Sequence, residues 1–576
     1  MIRNLLPLIL AGLMACSPAQ EKRTVEPADR IFVNGRIYTL DDSQPWAEAL
    51  AVRGDEIIYV GNSADASNLE GENTTVTDLD GRLLLPGFIE THMHIGDGLA
   101  QAEALKLTPE MSKPEALAAI GKYAASYPEQ KLIFGSGFLA PAFGELGPTA
   151  ADLDALIPNR RVFIIDEGFH SAWVNSKVLR ELGIDKNTAD PVPGSHYYKR
   201  YKNGDPTGWL VEKGAFQPVA DALGVFNKER YESATSVLFP LLPSLGITAA
   251  FDAGNLMSEE VAVAVLEASR QQGILPLRVV ASHYVNLQEQ LPTAVEHVQK
   301  RHQQYHSELY DYRVLKLSLD GTVENKSALM LAPWEGQAQN TTRPQIPKAP
   351  TARVVMEAAR VDMDVHMHAL GDGAVRWALD MVEQVREEVA GSQSRFTMCH
   401  LQIVNPADVT RFAELNVVAQ STPSWYLYDD IALEFTGRER FEQMYPMRSI
   451  REAGARITFG SDYPAVWIGQ DALNPLFNIE MAMTRQPPGD KTFAVQPPAD
   501  ERVTLEQAIR AYTLDAAWQL RLEEQVGSLQ VGKQADLVVL SDNLFEMEPH
   551  SIHSAKALLT MMNGRVTYDA ISETEE

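Results

Sequence analysis

The chain of 576 residues has only two cysteines, Cys16 and Cys399, too few for a disulfide framework. Past the first 20 residues no apolar run approaches the roughly 20 residues that a membrane-spanning helix needs. Basic residues are also scarce: 50 Lys and Arg stand against 77 Asp and Glu, for a net charge of −27. That balance excludes nucleic acid held through its phosphates. Otherwise it speaks to solubility and not to fold. No internal repeat or low-complexity tract occurs. What is present is a globular mixture, 45% hydrophobic and 22% charged, in a length that suits one large barrel with a small satellite domain.

The start of the chain is a processing segment. Arg3 supplies a positive charge, and the apolar stretch Leu5 to Ala15 is too short to span a bilayer. Leu13-Met14-Ala15-Cys16 resembles the lipobox of bacterial lipoproteins. The resemblance implies a signal peptide over 1–15, lipidation of Cys16 and a mature chain of 576 − 15 = 561 residues. Ser17 stands where an Asp would retain the protein in the inner membrane. A periplasmic protein anchored to the outer membrane of a Gram-negative bacterium is therefore expected, with surface display left open. An ordinary signal peptide with a chance cysteine is the alternative. Residues 16–28 read as a tether.

The two ends beyond the tether look alike. Asn34-Gly35 and Asn563-Gly564 sit between short apolar runs, a hairpin signal. Neither end has enough apolar surface to fold alone, so 29–82 and 523–572 are expected to share one composite β-sandwich domain. The middle, 83–522, alternates strands with helical segments, the pattern of a parallel β/α fold. Eight strand candidates centre on Leu84–His94, Ile247–Asp252, Leu277–Ser282, Val314–Asp320, Val365–Leu370, Phe396–Gln402, Val417–Thr422 and Ile457–Asp462. Eight strands predict a (β/α)8 TIM-type barrel, with its chemistry at the C-terminal strand ends. About 96–240 is too long for a simple connection and reads as an inserted subdomain over the barrel mouth. Such an insertion shapes substrate choice. Its Trp173, Trp209 and Phe216 hint at an apolar or aromatic substituent, or else pack inward.

Polar residues gather at the predicted strand ends. In Pro86-Gly87-Phe88-Ile89-Glu90-Thr91-His92-Met93-His94, alternation puts His92 and His94 on one face. Alone, His-x-His is as consistent with two satisfied core histidines as with a metal grip. Lys316 lies on the fourth strand, His366 and His368 on the fifth, His400 on the sixth and Asp462 at the end of the eighth. A barrel would bring these to one axis, and imidazoles with a carboxylate suit zinc or a similar divalent ion. Cys399 faces opposite to His400 if its segment is a strand, and reads as a packing residue. His283, His297, His302 and His306 belong to no motif and read as solvated surface.

These motifs identify the chain as resembling the amidohydrolase superfamily, in the branch of YtcJ-like proteins and N-substituted formamide deformylases. They are Pro86 to His94, His368-Ala369-Leu370-Gly371-Asp372, Gly460-Ser461-Asp462-Tyr463-Pro464, Ala511-Tyr512-Thr513 and Gly532-Lys533-Gln534-Ala535-Asp536-Leu537. The resemblance implies a hydrolase of amide or other non-peptide C–N bonds in small molecules, in which a hydroxide attacks the carbonyl. It implies two divalent ions, zinc for preference. His92, His94 and Asp462 would hold one ion and His368 and His400 the other, with Lys316 bridging as a carbamate. An unmodified ammonium has donors only and cannot ligate; the alternative for Lys316 is an ion pair with an acid such as Asp320. Asp462 would be the catalytic proton carrier. His366 would be a core or supporting histidine. The segment Phe169 to Ser176 resembles a branch motif in which His170 and Asn175 contact substrate, or else cap the insertion. Glu90-Thr91, where Asp-Ser is frequent, puts substrate identity in doubt. A homodimer is compatible with the family. Two other readings stay open: a mononuclear, deaminase-like or lactone- or ester-opening enzyme on the same barrel, and a lipid-anchored binding protein with a vestigial site. The complete ligand set disfavours the last.

Overall fold

The computed structural model describes residues 26–571, apart from 103, 109–110, 145, 192, 194–195, 324–325 and 466–468. The expected signal peptide, the lipobox with Cys16 and the tether up to residue 25 lie outside the described residues. Among the described residues, no helix is long and apolar enough to cross a membrane.

Eight parallel strands form the central sheet: β1 (Phe88–Met93), β2 (Ile247–Asp252), β3 (Arg278–Val285), β4 (Tyr310–Ser318), β5 (Asp364–Ala369), β6 (Phe396–His400), β7 (Val417–Ser421) and β8 (Ile457–Phe459). Each pairs with the next, and β1 pairs with β2. The ring closes between β8 and β1 just past the strand ends. The Asp462 amide donates to the His92 carbonyl at 2.7 Å, and the His94 amide donates to the Tyr463 carbonyl at 2.8 Å. Strand alternation then divides the side chains. Leu315, Leu317, Val365, Met367 and Met398 face outward into the helix layer, against Val355, Val375, Leu379 and Val382. Their neighbours Lys316, His366 and His368 therefore face inward. Truncating an outward residue such as Met367 to alanine costs about 2–5 kcal/mol, so the polar interior is held by an apolar shell.

The first strand candidate is in fact two strands. Leu83–Pro86 belongs to a different sheet, antiparallel to Leu537–Leu540 and parallel to Arg36–Tyr38. The chain changes sheets at Gly87, whose amide donates to the Asp536 carbonyl at 3.0 Å while Phe88 donates to Gly246 at 2.9 Å. A Cβ at Gly87 would collide with the Thr248 side chain, so only glycine fits this crossing. The six-stranded sheet containing Leu83–Pro86 draws strands from both chain ends. It faces a four-stranded sheet of Arg30–Val33, Ala49–Arg53, Glu56–Gly61 and Thr75–Asp78. One core joins them: Phe32, Leu50 and Ile57 from the start of the chain, Leu537, Val539, Leu559 and Met561 from the end.

Between β1 and β2 lies a second six-stranded sheet, from Leu105–Lys106 to Pro206–Val211. It has its own apolar cores. Trp173 and Phe216 are fully buried in them. The Trp173 indole donates to the Thr149 carbonyl at 2.8 Å and packs against Phe138 and Phe143. Those two aromatic residues serve the subdomain's own packing, which settles that alternative against substrate contact. Asn175 is corrected in the same way. It caps the helix Ser176–Glu181 by accepting from the Val178 amide, and its amide donates to the Ile157 and Arg160 carbonyls at 3.0 and 2.8 Å. Fully buried, with both amide hydrogens and its oxygen engaged by backbone, it is not presented to a substrate.

Candidate metal centre

At the C-terminal end of the barrel the inward side chains converge. His92 and His94 extend from β1 on one face, with Glu90 below them. Lys316 comes from β4, and His366 and His368 from β5. Asp462 follows β8 in a left-handed conformation, φ 58°. His400, at the end of β6, is also left-handed, φ 76°. Such backbone costs about 1–3 kcal/mol for a residue with a Cβ and recurs at functional sites. It also overturns the reading of Cys399. Alternation does set Cys399 opposite to His400 while the strand lasts, but the inward one is Cys399. Its sulfur lies 3.0 Å from Lys316 Nζ. The positive φ then turns His400 back to the mouth.

The contacts are close. Asp462 Oδ1 lies 3.2 Å from His92 Nε2 and 3.3 Å from His94 Nε2. Lys316 Nζ is 3.3 Å from His92 Nε2. The His400 ring centroid is 4.5 Å from that of His368 and 4.9 Å from that of His92. One flank of His400 is covered by Trp425, stacked at 5.0 Å and 10°. His366 sits deeper, its Nε2 3.1 Å from His92 Nδ1 and its ring stacked on Phe251 at 4.7 Å. The six residues expected to act together are thus gathered at one rim, and His366 supports them from beneath. His92, His400 and Asp462 bring one ligand atom each within 4.8 Å of one another.

The chemistry of these atoms calls for a cation. His94 Nδ1 lies 2.6 Å from the Gly254 carbonyl, which can only accept, so Nδ1 carries the proton and the neutral ring turns a lone pair on Nε2 toward Asp462 Oδ1. Two acceptors facing each other at 3.3 Å need a proton or a metal ion between them. His368 Nε2, His400 Nδ1 and Asp462 Oδ1 are buried and make no hydrogen bond. Buried polar atoms are rarely left so, and these fit ligand positions. Burial, followed by the Lys316 charge, pushes His92, His366 and His368 well below the ordinary histidine range; His400 is pushed down by burial, then by His368 and Lys316. Metal-binding histidines must be neutral, so this suits them. His94 goes the other way: burial would lower it, but the Asp462 carboxylate prevails and raises it.

Buried carboxylates brace the site from outside. Glu90, pushed up to about 8 by burial, accepts from the His92 amide at 2.8 Å and the Ser461 amide at 3.0 Å. It ties β1 to the segment after β8, so this position serves barrel closure. Asp320 accepts from the Leu329, Leu370 and Gly371 amides at 2.9, 3.1 and 2.9 Å. It is engaged there and does not pair with Lys316. Asp97 accepts from Leu256 and Met257 at 2.7 and 3.0 Å.

Above the rim is a cavity of about 360 Å³ whose floor includes His94, Lys316, His368 and Asp462. Trp425, Tyr428, Phe441 and Met444 line one wall. The inserted subdomain supplies Phe169 and His170. His170 Nδ1 lies 3.1 Å from Glu212 Oε2. Burial would lower His170, but Glu212 and then Asp166 outweigh it and hold it up at about 9. Phe169 and Glu212 are both left-handed, φ 62° and 65°. The aromatic wall after β7 was not anticipated; Pro423-Ser424-Trp425-Tyr426 following a strand end was its only sequence signal.

The surface reading fails for two of the four outlying histidines. His283 is only 8% exposed, and with His297 it grips Glu259. His302 and His306 remain at the surface and share Asp311 at 2.9 and 3.2 Å.

Comparison with known proteins agrees with this geometry. Exoenzymes regulatory protein AepA of Pectobacterium carotovorum subsp. carotovorum is 30% identical over 450 residues, 75% of this chain and 93% of that protein. The N-substituted formamide deformylase of Arthrobacter pascens is 22% identical over 551 residues, 94% of this chain and 98% of its own length. Among solved structures, an uncharacterized metal-dependent hydrolase from Pyrococcus horikoshii OT3 superposes with a TM-score of 0.72 at 22% identity, over 90% of this chain and 99% of that one, and shares the fold. A sequence model of the amidohydrolase family matches residues 75–568, the whole barrel with its inserted subdomain and the C-terminal part of the sandwich, and the chain belongs to that family.

Proposed function

We propose that this protein hydrolyses an amide, or a related non-peptide C–N bond, in a small molecule with an apolar substituent. The carrying observation is the set of buried, unbonded ligand atoms on His368, His400 and Asp462 beneath a cavity walled by Trp425, Tyr428, Phe441 and Met444. His92, His94 and Asp462 would hold one divalent ion, His368 and His400 a second, and Lys316 would bridge them as a carbamate. Bound there, such ions supply a Lewis acid and lower the pKa of water toward ~7. The protein's own groups do the rest. Asp462 takes the proton from the attacking water and delivers it to the leaving nitrogen. The Gly254 carbonyl and His366 fix the tautomers of His94 and His92. The aromatic wall holds the substituent and excludes water, and His170, steadied by Glu212, faces the substrate from the inserted subdomain.

A mononuclear version has one observation in its favour. Lys316 Nζ contacts Cys399 Sγ at 3.0 Å, an arrangement a plain amine satisfies. Metal per chain and the mass of Lys316 separate the two versions.

The test is hydrolysis of a panel of N-formyl and N-acyl amines, with a lactone for contrast, by the zinc-loaded protein. Asp462→Ala is expected to lower kcat by about 10²–10⁴-fold with the fold intact. No turnover of any amide by the loaded, folded protein would sink the reading. For the chain's address, the Leu13 to Cys16 stretch supports a lipid anchor at the periplasmic face of the outer membrane. Labelling with radioactive palmitate, lost in Cys16→Ala, checks it.

A further inference from the structure

A second cluster of ligand-bearing side chains lies on the flank of the barrel, away from the mouth. His283 is on β3, next to Tyr284. Tyr284 lines the cavity, so His283 points outward, under the helices. There it meets Glu259, the first residue of the helix Glu259–Gln271, and His297, from the helix Ala294–Gln304. His283 Nδ1 lies 2.8 Å from Glu259 Oε2 and His297 Nε2 lies 2.6 Å from Glu259 Oε1. The two rings stack at 4.0 Å and 26°, which aims both nitrogens at one carboxylate. One ligand atom from each residue falls within 4.8 Å of the others.

We infer that Glu259, His283 and His297 form a second, structural site for zinc or a similar borderline divalent ion, stitching β3 to the two helices that cover it. Two imidazoles and a carboxylate are a zinc ligand set. Zinc bonds to such ligands are about 2.0–2.2 Å, so tetrahedral neighbours stand about 3.3 Å apart. The present contacts must open by roughly half an ångström to admit the ion. The His297 side chain is 31% exposed, which leaves an entry path and room for a water as fourth ligand. The competitor is Arg301, whose Nε donates to His297 Nε2 at 3.4 Å and lies 3.6 Å from Glu259 Oε1, while its Nη2 pairs with Glu260. The guanidinium holds the cluster together when no ion is bound and opposes the ion's charge when one is.

The test uses the full chain, stripped with a chelator and titrated with zinc. The barrel centre is removed from the count by a His92→Gln/His368→Gln/His400→Gln/Asp462→Asn background, which takes ligands from both ions. That background is expected to keep about one zinc per chain, and to lose it when His297→Ala is added. Arg301→Gln, which relieves the repulsion and leaves every ligand in place, is expected to tighten zinc by about tenfold. Zinc content unchanged by His297→Ala, or none in the background protein, would overturn the proposal. Should His297→Ala fail to fold, an Arg301→Gln protein with unaltered zinc affinity would overturn it as well. Because the readout is metal content, the outcome is independent of whether the barrel hydrolyses amides.

Discussion

The two histidine clusters on this barrel solve the same problem in opposite ways. At the mouth, imidazoles crowd one another around a single carboxylate, Asp462: His92 meets His366 at 3.1 Å, and His368 and His400 stand ring to ring with one nitrogen of each unbonded. On the flank, His283 and His297 each face an oxygen of Glu259, at 2.8 and 2.6 Å. The flank is satisfied by protein alone and the mouth is not. Unmet polar capacity in a buried place is costly, so it persists where a ligand supplies the partner. To take an ion, the flank must part with a guanidinium, and the mouth must part with the contact of the Lys316 amine to His92.

The largest expected effect would break the symmetry of the comparison outright. Chelation, or His368→Ala, should reduce hydrolysis by about 10²-fold or more, while Glu259→Gln stays within about threefold of the unaltered protein. Comparable losses from both would mean the clusters are functionally joined.

Stability should respond in reverse. Glu259→Ala leaves two imidazoles and Arg301 without their carboxylate and should cost about 3 kcal/mol in denaturant unfolding. Asp462→Asn in the chelated protein should cost less, about 1 kcal/mol, because it removes only the contact by which the carboxylate favours protonated His94. A large destabilisation there would show that the mouth is braced for folding and not for a ligand.

Acid and base should separate the mouth from the inserted subdomain. His92, His366, His368 and His400 are held below the ordinary value of 6.5, so the unfolded chain takes up protons that the folded one refuses. Metal-free protein should therefore lose stability as pH falls below 6.5. His170 is shifted the other way, to about 9, so its contribution is complete below 6.5 and fades as pH rises through about 9. Melting temperature against pH should fall at both ends, and Glu212→Gln should flatten only the alkaline limb.

The smallest effect concerns neighbours in one motif. Asn175→Ala should cost about 1–2 kcal/mol as a lost helix cap and leave kcat/KM alone. His170→Gln should lower kcat/KM and, below about pH 9, lower the melting temperature as well, because it removes the ion pair with Glu212. If Asn175→Ala alters kcat/KM in folded protein, the cap reading is wrong.

Much of this was legible in the sequence, for reasons that can be named. Period-two alternation put His92 beside His94 and Lys316 opposite Leu315 and Leu317. The Asn175 cap was equally readable, since Asn directly before Ser176-Lys177-Val178 is a helix-start signal. Other residues could not be read locally. Cys399 and His400 share the site because one left-handed residue ends the alternation. His283 found its partner in Glu259, a residue whose nearness depends on how two helices lie over β3.

By itself, then, the order of residues decided which side chains share a strand face and where helices begin, because those relations repeat over two to four positions of backbone. It also carried the motifs that mark the family. The fold alone decided which of the thirteen histidines meet at the barrel mouth and which meet at Glu259. That choice depends on distances between strands and helices far apart in the chain.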